Sequence, residues 1–179
     1  MEIAERKQAE EALLYCPPMT TAPIPNKIKL SGRVLLAEDA LDNQRLIAFM
    51  LKKAGAQVTL ADNGQIACDE ALVALSRGTP FDLILMDIKM PIMDGYEATR
   101  RLRSKGYTGP IVALTACAMA EDRQKCLDAG CDDYASKPID WHVLLSTVTQ
   151  WIARCRTSEL PDPLIGESNA SGAMSTVFT

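Results

Sequence analysis

Short apolar runs recur along residues 33–138, and most stop at a polar or charged residue before a segment of helical periodicity begins. "RVLLAED" (33–39), "AQVTLAD" (56–62), "FDLILMD" (81–87), "PIVALTA" (110–116) and "DDYASKP" (132–138) read as strands. Helical segments separate them. "NQRLIAFMLKKAG" (43–55) places Leu46, Ile47, Met50, Leu51 and Ala54 at helical spacing, with Gly55 as the stop. Residues 64–78, 95–104 and 119–129 follow the same logic, the first ending at Gly78 and the last at Gly130. The final segment, "DWHVLLSTVTQWIARC" (140–155), is amphipathic. Asp140 serves as its N-cap, and Val143, Leu144, Val148, Trp151 and Ile152 point inward. Strands that are apolar throughout, rather than alternating, are covered on both faces. Alternation with helices makes the sheet parallel. Right-handed crossovers then leave few topologies, among them a doubly wound α/β fold with strand order 2-1-3-4-5.

Such a fold needs one core. A chain of 179 residues, 47% of them hydrophobic, supplies one domain with tails, not two full domains. The domain is expected over 29–156. Residues 1–15 are rich in helix formers, and 16–28 contain four prolines and read as a stiff linker. The segment 157–179, rich in Ser, Thr, Gly and Pro, reads as a disordered tail. The formal charge is −4, with both signs mixed and no basic cluster, which argues against a nucleic-acid partner. No apolar run reaches the roughly 20 residues that span a bilayer, and the N-terminus lacks a signal peptide's apolar region. A cytoplasmic chain without membrane contact is expected. Six cysteines without a CxxC pair, and one histidine, argue against a zinc site and for reduced, mostly buried thiols.

The strand ends carry the chemistry. The first strand ends in Glu38-Asp39, the third in Asp87, the fourth in Thr115, and Lys137-Pro138 follow the fifth. In a parallel sheet these ends converge on one edge, where ligands bind in open α/β folds. Three clustered carboxylates repel one another and call for a cation, and an all-oxygen set suits Mg²⁺. A strand-end Asp can act as a nucleophile toward a phosphoryl group, with a lysine and a hydroxyl stabilising the transferring charge. Asp87 is the expected nucleophile.

Four stretches, "LLAEDALDNQRL", "LILMDIKMPIMDGYEATRRLR", "IVALTA" and "CLDAGCDDYASKPID", make residues 33–155 resemble the response-regulator receiver domains of two-component signalling. The resemblance implies that Asp87 is the phosphoacceptor, and that Glu38 and Asp39 are metal acids, Asp39 binding directly and Glu38 through water. It also implies that the backbone carbonyl of Lys89 completes the protein's share of the Mg²⁺ shell, that Thr115 and Tyr134 form the switch, that Lys137 contacts the phosphate, and that the Lys137-Pro138 bond is cis. Lys89 and Cys117 flank the site. The implied partners are a histidine kinase domain and a histidine phosphotransfer protein, and a homodimer is left open. "AERKQAEEALL" resembles the helix between a sensor module and the kinase region of hybrid histidine kinases, which suggests a receiver from such a kinase.

Two other readings compete. A free-standing single-domain regulator would act by binding partners. A haloacid-dehalogenase-like phosphatase would share the nucleophile, hydroxyl, lysine and metal, but it usually carries a second Asp two residues after the first, where this chain has Lys89. His142, the single histidine, reads as an exposed surface residue rather than a phosphotransfer group.

Overall fold

A computed structural model describes residues 30–116 and 120–157, without the side chains of residues 120–122, 156 and 157. The helix expected over 1–15, the linker 16–28, Cys16, Cys117 and the tail beyond Thr157 lie outside the described residues. Five parallel strands, β1 (Arg33–Ala37), β2 (Gln57–Ala61), β3 (Leu83–Asp87), β4 (Ile111–Thr115) and β5 (Asp133–Ser136), form one sheet in the order 2-1-3-4-5. The intervening helices are α1 (Leu41–Ala54), α2 (Gly64–Ser76), α3 (Gly95–Ser104) and α4 (Ala120–Ala129), and α5 (Trp141–Thr157) closes the fold.

Every residue of β3 and β4 is buried, because helices cover both faces of the sheet. Alternate strand residues feed two cores. Leu35, Ile84, Met86, Ile111 and Ala113 pack against α2, α3 and α4 residues such as Cys68, Ala71, Ala98, Leu102 and Cys126. Val34, Leu36, Leu83, Leu85, Val112 and Leu114 pack against Ile47 and Leu51 of α1 and Leu144, Val148 and Ile152 of α5. Each fully buried large apolar side chain contributes on the order of 1.5–3 kcal/mol, so this double burial carries most of the fold's stability.

Helix ends follow their local chemistry. Gly55 closes α1 with φ 108, a left-handed conformation that favours glycine. The side chains of Asn63 and Asp94 accept hydrogen bonds from the backbone N–H groups of Ile66 and Glu97 and cap α2 and α3. Asp140 caps α5 as expected, accepting from His142 and Val143 N–H groups at 2.8 and 3.2 Å.

One inward assignment is corrected: Val143 is 51% exposed, and Leu46, one of the apolar residues at helical spacing in α1, is 51% exposed as well. In α1 the buried stripe is Gln44, Ile47, Ala48 and Leu51, and in α5 Thr147 is buried beside Leu144 and Val148. The helical period locates an apolar arc but not its centre; here a glutamine, an alanine and a threonine fill the inward positions, and larger apolar residues stay outside.

Candidate functional site

The strands keep their carboxyl ends side by side: Ala37 pairs with Met86, Asp87 with Leu114, and Thr115 with Ser136. The residues that follow must therefore emerge along one edge. Asp87 is 5% exposed and Glu38 is fully buried, while Asp39 is exposed. The Lys137 ammonium bridges the first two, donating to Asp87 Oδ2 at 2.7 Å and to Glu38 Oε2 at 2.8 Å. Lys89 N–H donates to Asp87 Oδ1 at 3.2 Å. Glu38, Asp39 and Asp87 each bring a carboxylate oxygen within 4.8 Å of the others.

Three carboxylates around one paired ammonium leave an excess of negative charge in a poorly hydrated place. Burial pushes the Asp87 carboxyl above its ordinary value; hydrogen bonding and charge from Lys137 pull it back in part, and the charge of Glu38 adds to the rise. For Lys137 burial acts downward, but the hydrogen bonds and charges of Asp87 and Glu38 outweigh it and hold the ammonium above its ordinary value. The donor set is hard oxygen only, crowded and net negative, and it fits a Mg²⁺ ion.

The frame around Asp87 is tight. A Cβ on Gly95 would stand 2.2 Å from the Asp87 carbonyl oxygen, so α3 starts directly against the backbone of the strand-end acid. Gly95 N–H closes the intervening loop by donating to the Ile88 carbonyl at 3.0 Å. Within that loop Met93 N–H donates to the Pro91 carbonyl at 2.8 Å, and the central Ile92 has φ 71 and is 83% exposed. That is a γ-turn, strained for a β-branched residue, and it turns the neighbouring Met90 and Met93 into the core.

Thr115, buried at the end of β4, lines a cavity of about 660 Å³ with Ile88, Lys89, Met90, Asp94, Tyr96 and Lys125. Tyr134 sits two residues before the end of β5 and pairs with Ala113, which places it on the same sheet face as Thr115. It is half-buried, with the Arg123 guanidinium 5.8 Å from its ring centre. The Lys137-Pro138 peptide is cis, as expected. His142 is exposed, and Cys68, Cys126 and Cys131 are buried free thiols.

Two contributors escaped the sequence reading. Asn43 Nδ2 donates to Glu38 Oε1 at 3.1 Å. Gln44, 5% exposed, donates to the Glu38 carbonyl at 3.2 Å and to Asp62 Oδ1 at 2.8 Å. The available signal was two amides in the first turn of the helix that follows the acids.

Fold and site together define a doubly wound α/β domain with an acidic, cation-seeking pocket at the carboxyl edge of its sheet. The family model for the response regulator receiver domain matches residues 34–149, and the chain belongs to that family. It is similar to histidine kinase 1 of Arabidopsis thaliana, 40% identical over 157 residues, covering 69% of this chain and 13% of that protein. Sensor histidine kinase RcsC of Escherichia coli K12 is 39% identical over 125 residues, covering 70% of this chain and 13% of its own. The chain thus spans a small part of these relatives. The solved receiver domain of sensor histidine kinase PA1611 from Pseudomonas aeruginosa, with a magnesium ion coordinated in its active-site cleft, is 40% identical with a TM-score of 0.61, covering 69% of this chain and 99% of that one. A co-crystal structure of the Saccharomyces cerevisiae histidine phosphotransfer signalling protein Ypd1 and the receiver domain of its downstream response regulator Ssk1 matches at 33% identity and TM-score 0.59, covering 68% of this chain and 88% of that chain. Among the described residues no helix is long and apolar enough to cross a membrane.

Proposed function

We propose that this receiver domain accepts a phosphoryl group on Asp87 from a phosphohistidine and passes it on within a phosphorelay, as the receiver of a cytoplasmic hybrid histidine kinase region. The observation that carries the reading is the Lys137 ammonium held between Glu38 and Asp87 at the strand ends. In the transfer an Asp87 carboxylate oxygen attacks phosphorus, the P–N bond to the donor imidazole breaks, and the imidazole leaves with the bonding electron pair. Lys137 moves its hydrogen bond from Asp87 Oδ2 to a phosphoryl oxygen, and Lys89 N–H steadies the other carboxylate oxygen. Asp39, Asp87 and the Lys89 carbonyl would hold Mg²⁺, with Glu38 acting through water, and the bound ion supplies charge neutralisation for the phosphoryl oxygens.

Thr115 then donates to the phosphoryl group, and Tyr134, on the same face, turns inward behind it. This is a shift between two states, so the phosphoryl group must contact them differently. The relatives support the hybrid-kinase assignment, since the alignments cover a minor part of long histidine kinases.

The test is incubation with Mg²⁺ and a small phosphodonor, followed by intact mass and then by addition of a histidine phosphotransfer protein. One phosphoryl adduct, lost in Asp87→Asn and handed to the phosphotransfer histidine, supports the relay. An adduct that is not handed on favours a free-standing regulator. Steady turnover of a generic phosphomonoester would favour a phosphatase.

A further inference from the structure

We propose that Asn43 is a positioning residue that sets the Mg²⁺ affinity of the acid pocket by holding the Glu38 carboxylate. The inference rests on the phosphoacceptor reading above. Glu38 is fully buried, so bulk water does not orient its carboxylate. Its two oxygens are divided between two donors: Oε2 takes the Lys137 ammonium and Oε1 takes the Asn43 amide. These donors differ in permanence. Lys137 is shared with Asp87, and it is the group that moves to an incoming phosphoryl oxygen. Asn43 holds the other oxygen, Oε1, and stands outside the Lys137–Asp87 pair.

The amide also comes from a rigid place. Asn43 is the third residue of α1, which is anchored by the buried Ile47, Ala48 and Leu51. The next residue, Gln44, ties the Glu38 carbonyl to Asp62 at the end of β2. The backbone of Glu38 is thus fixed by Gln44 and its carboxylate by Asn43. With Lys137 shared between two acids, the amide is the second, fixed contact that keeps Glu38 facing the metal acids rather than swinging away. Groups that orient metal-associated carboxylates in this way commonly control affinity without touching the ion.

The test compares full-length wild type with Asn43→Ala and Asn43→Gln. Alanine removes the donor but keeps the best helix former at an exposed helical position, so the fold is retained; glutamine keeps an amide on a longer arm. Mg²⁺ alone is titrated by calorimetry, and phosphorylation by a small phosphodonor is followed against Mg²⁺ concentration. Asn43→Ala is expected to weaken Mg²⁺ binding by about tenfold or more. Its phosphorylation rate recovers toward wild type at saturating Mg²⁺, and Asn43→Gln recovers part of the affinity. Wild-type Mg²⁺ affinity in Asn43→Ala overturns the proposal, as does a rate loss that saturating Mg²⁺ leaves in place. Wild type that binds no Mg²⁺ at all overturns the phosphoacceptor reading as well, and this separates the two failures.

Discussion

Lys137 and Asp87 are 50 residues apart in the chain, yet the ammonium of one stands 2.7 Å from a carboxylate oxygen of the other. The same ammonium is 2.8 Å from Glu38, so one cation neutralises part of a buried acidic pair. Removing it leaves both acids without their counter-ion. Lys137→Met is therefore expected to lower metal-free stability by about 3 kcal/mol, the cost of breaking a buried ion pair from one side. Denaturant melts in the presence of a chelator measure this; an unchanged midpoint would contradict the bridging role.

The same pair predicts a pH dependence. The Lys137 ammonium is held above its ordinary value, so its contribution is complete below the unfolded value of about 10.4 and is lost as pH rises through the higher folded value. Wild type should lose stability in that alkaline window. Lys137→Met should lose less there, and parallel melts of the two proteins across the window check it.

Asp87 changes stability in the same direction with pH, but over a more acidic window and because its charge is disfavoured rather than favoured. Burial and Glu38 raise its carboxyl, so the stability linked to it is complete below about 3.9 and is lost as pH rises through its folded value. Above that folded value the charge is held at a cost. Asp87→Asn, nearly isosteric, should melt a few degrees higher than wild type without metal, and the gap should close in acid. Millimolar Mg²⁺ should raise the wild-type Tm by mass action and raise that of Asp87→Asn less. A lower Tm for Asp87→Asn in chelator would count against the crowded pocket.

Gly95 abuts the strand-end acid. Gly95→Ala forces a Cβ toward the Asp87 carbonyl, and backbone cannot yield as a flexible side chain does. A loss of about 2 kcal/mol is expected, together with slower phosphorylation, because the displaced backbone is that of the nucleophile. Chemical denaturation and phosphodonor kinetics on the same sample read both effects.

Ile92 offers a gain. Its left-handed backbone costs about 1–2 kcal/mol in an L-residue, and its side chain is 83% exposed, so little packing is lost on removal. Ile92→Gly is expected to stabilise the domain by about 0.5–1 kcal/mol once the greater freedom of unfolded glycine is deducted. A destabilised variant would show that the isoleucine side chain is held by contacts at the loop.

Much of this architecture was legible because strands buried on both faces carry no polar alternation. A break such as Met86 to Asp87 therefore stands out, and parallel topology brings such breaks to one edge. Glu38, Asp39, Asp87 and Lys137 were found that way. Asn43 and Gln44 were not, since their partners depend on how α1 is rotated over the sheet, which local sequence does not record. The same rotation explains Leu46. The γ-turn at Ile92 was hidden because a β-branched residue is among the poorest indicators of positive φ.

Glu38 and Lys137 are 99 residues apart, and the pocket between them draws on the ends of β1, β3 and β5. No fragment ending before Lys137 contains the cation, and none beginning after Asp39 contains both of its carboxylate partners. A chain still emerging from the ribosome, or one nicked between these points and separated, holds acids without their counter-charge. The charge balance of the pocket thus arrives only with the last strand, just ahead of the helix α5 that closes the fold.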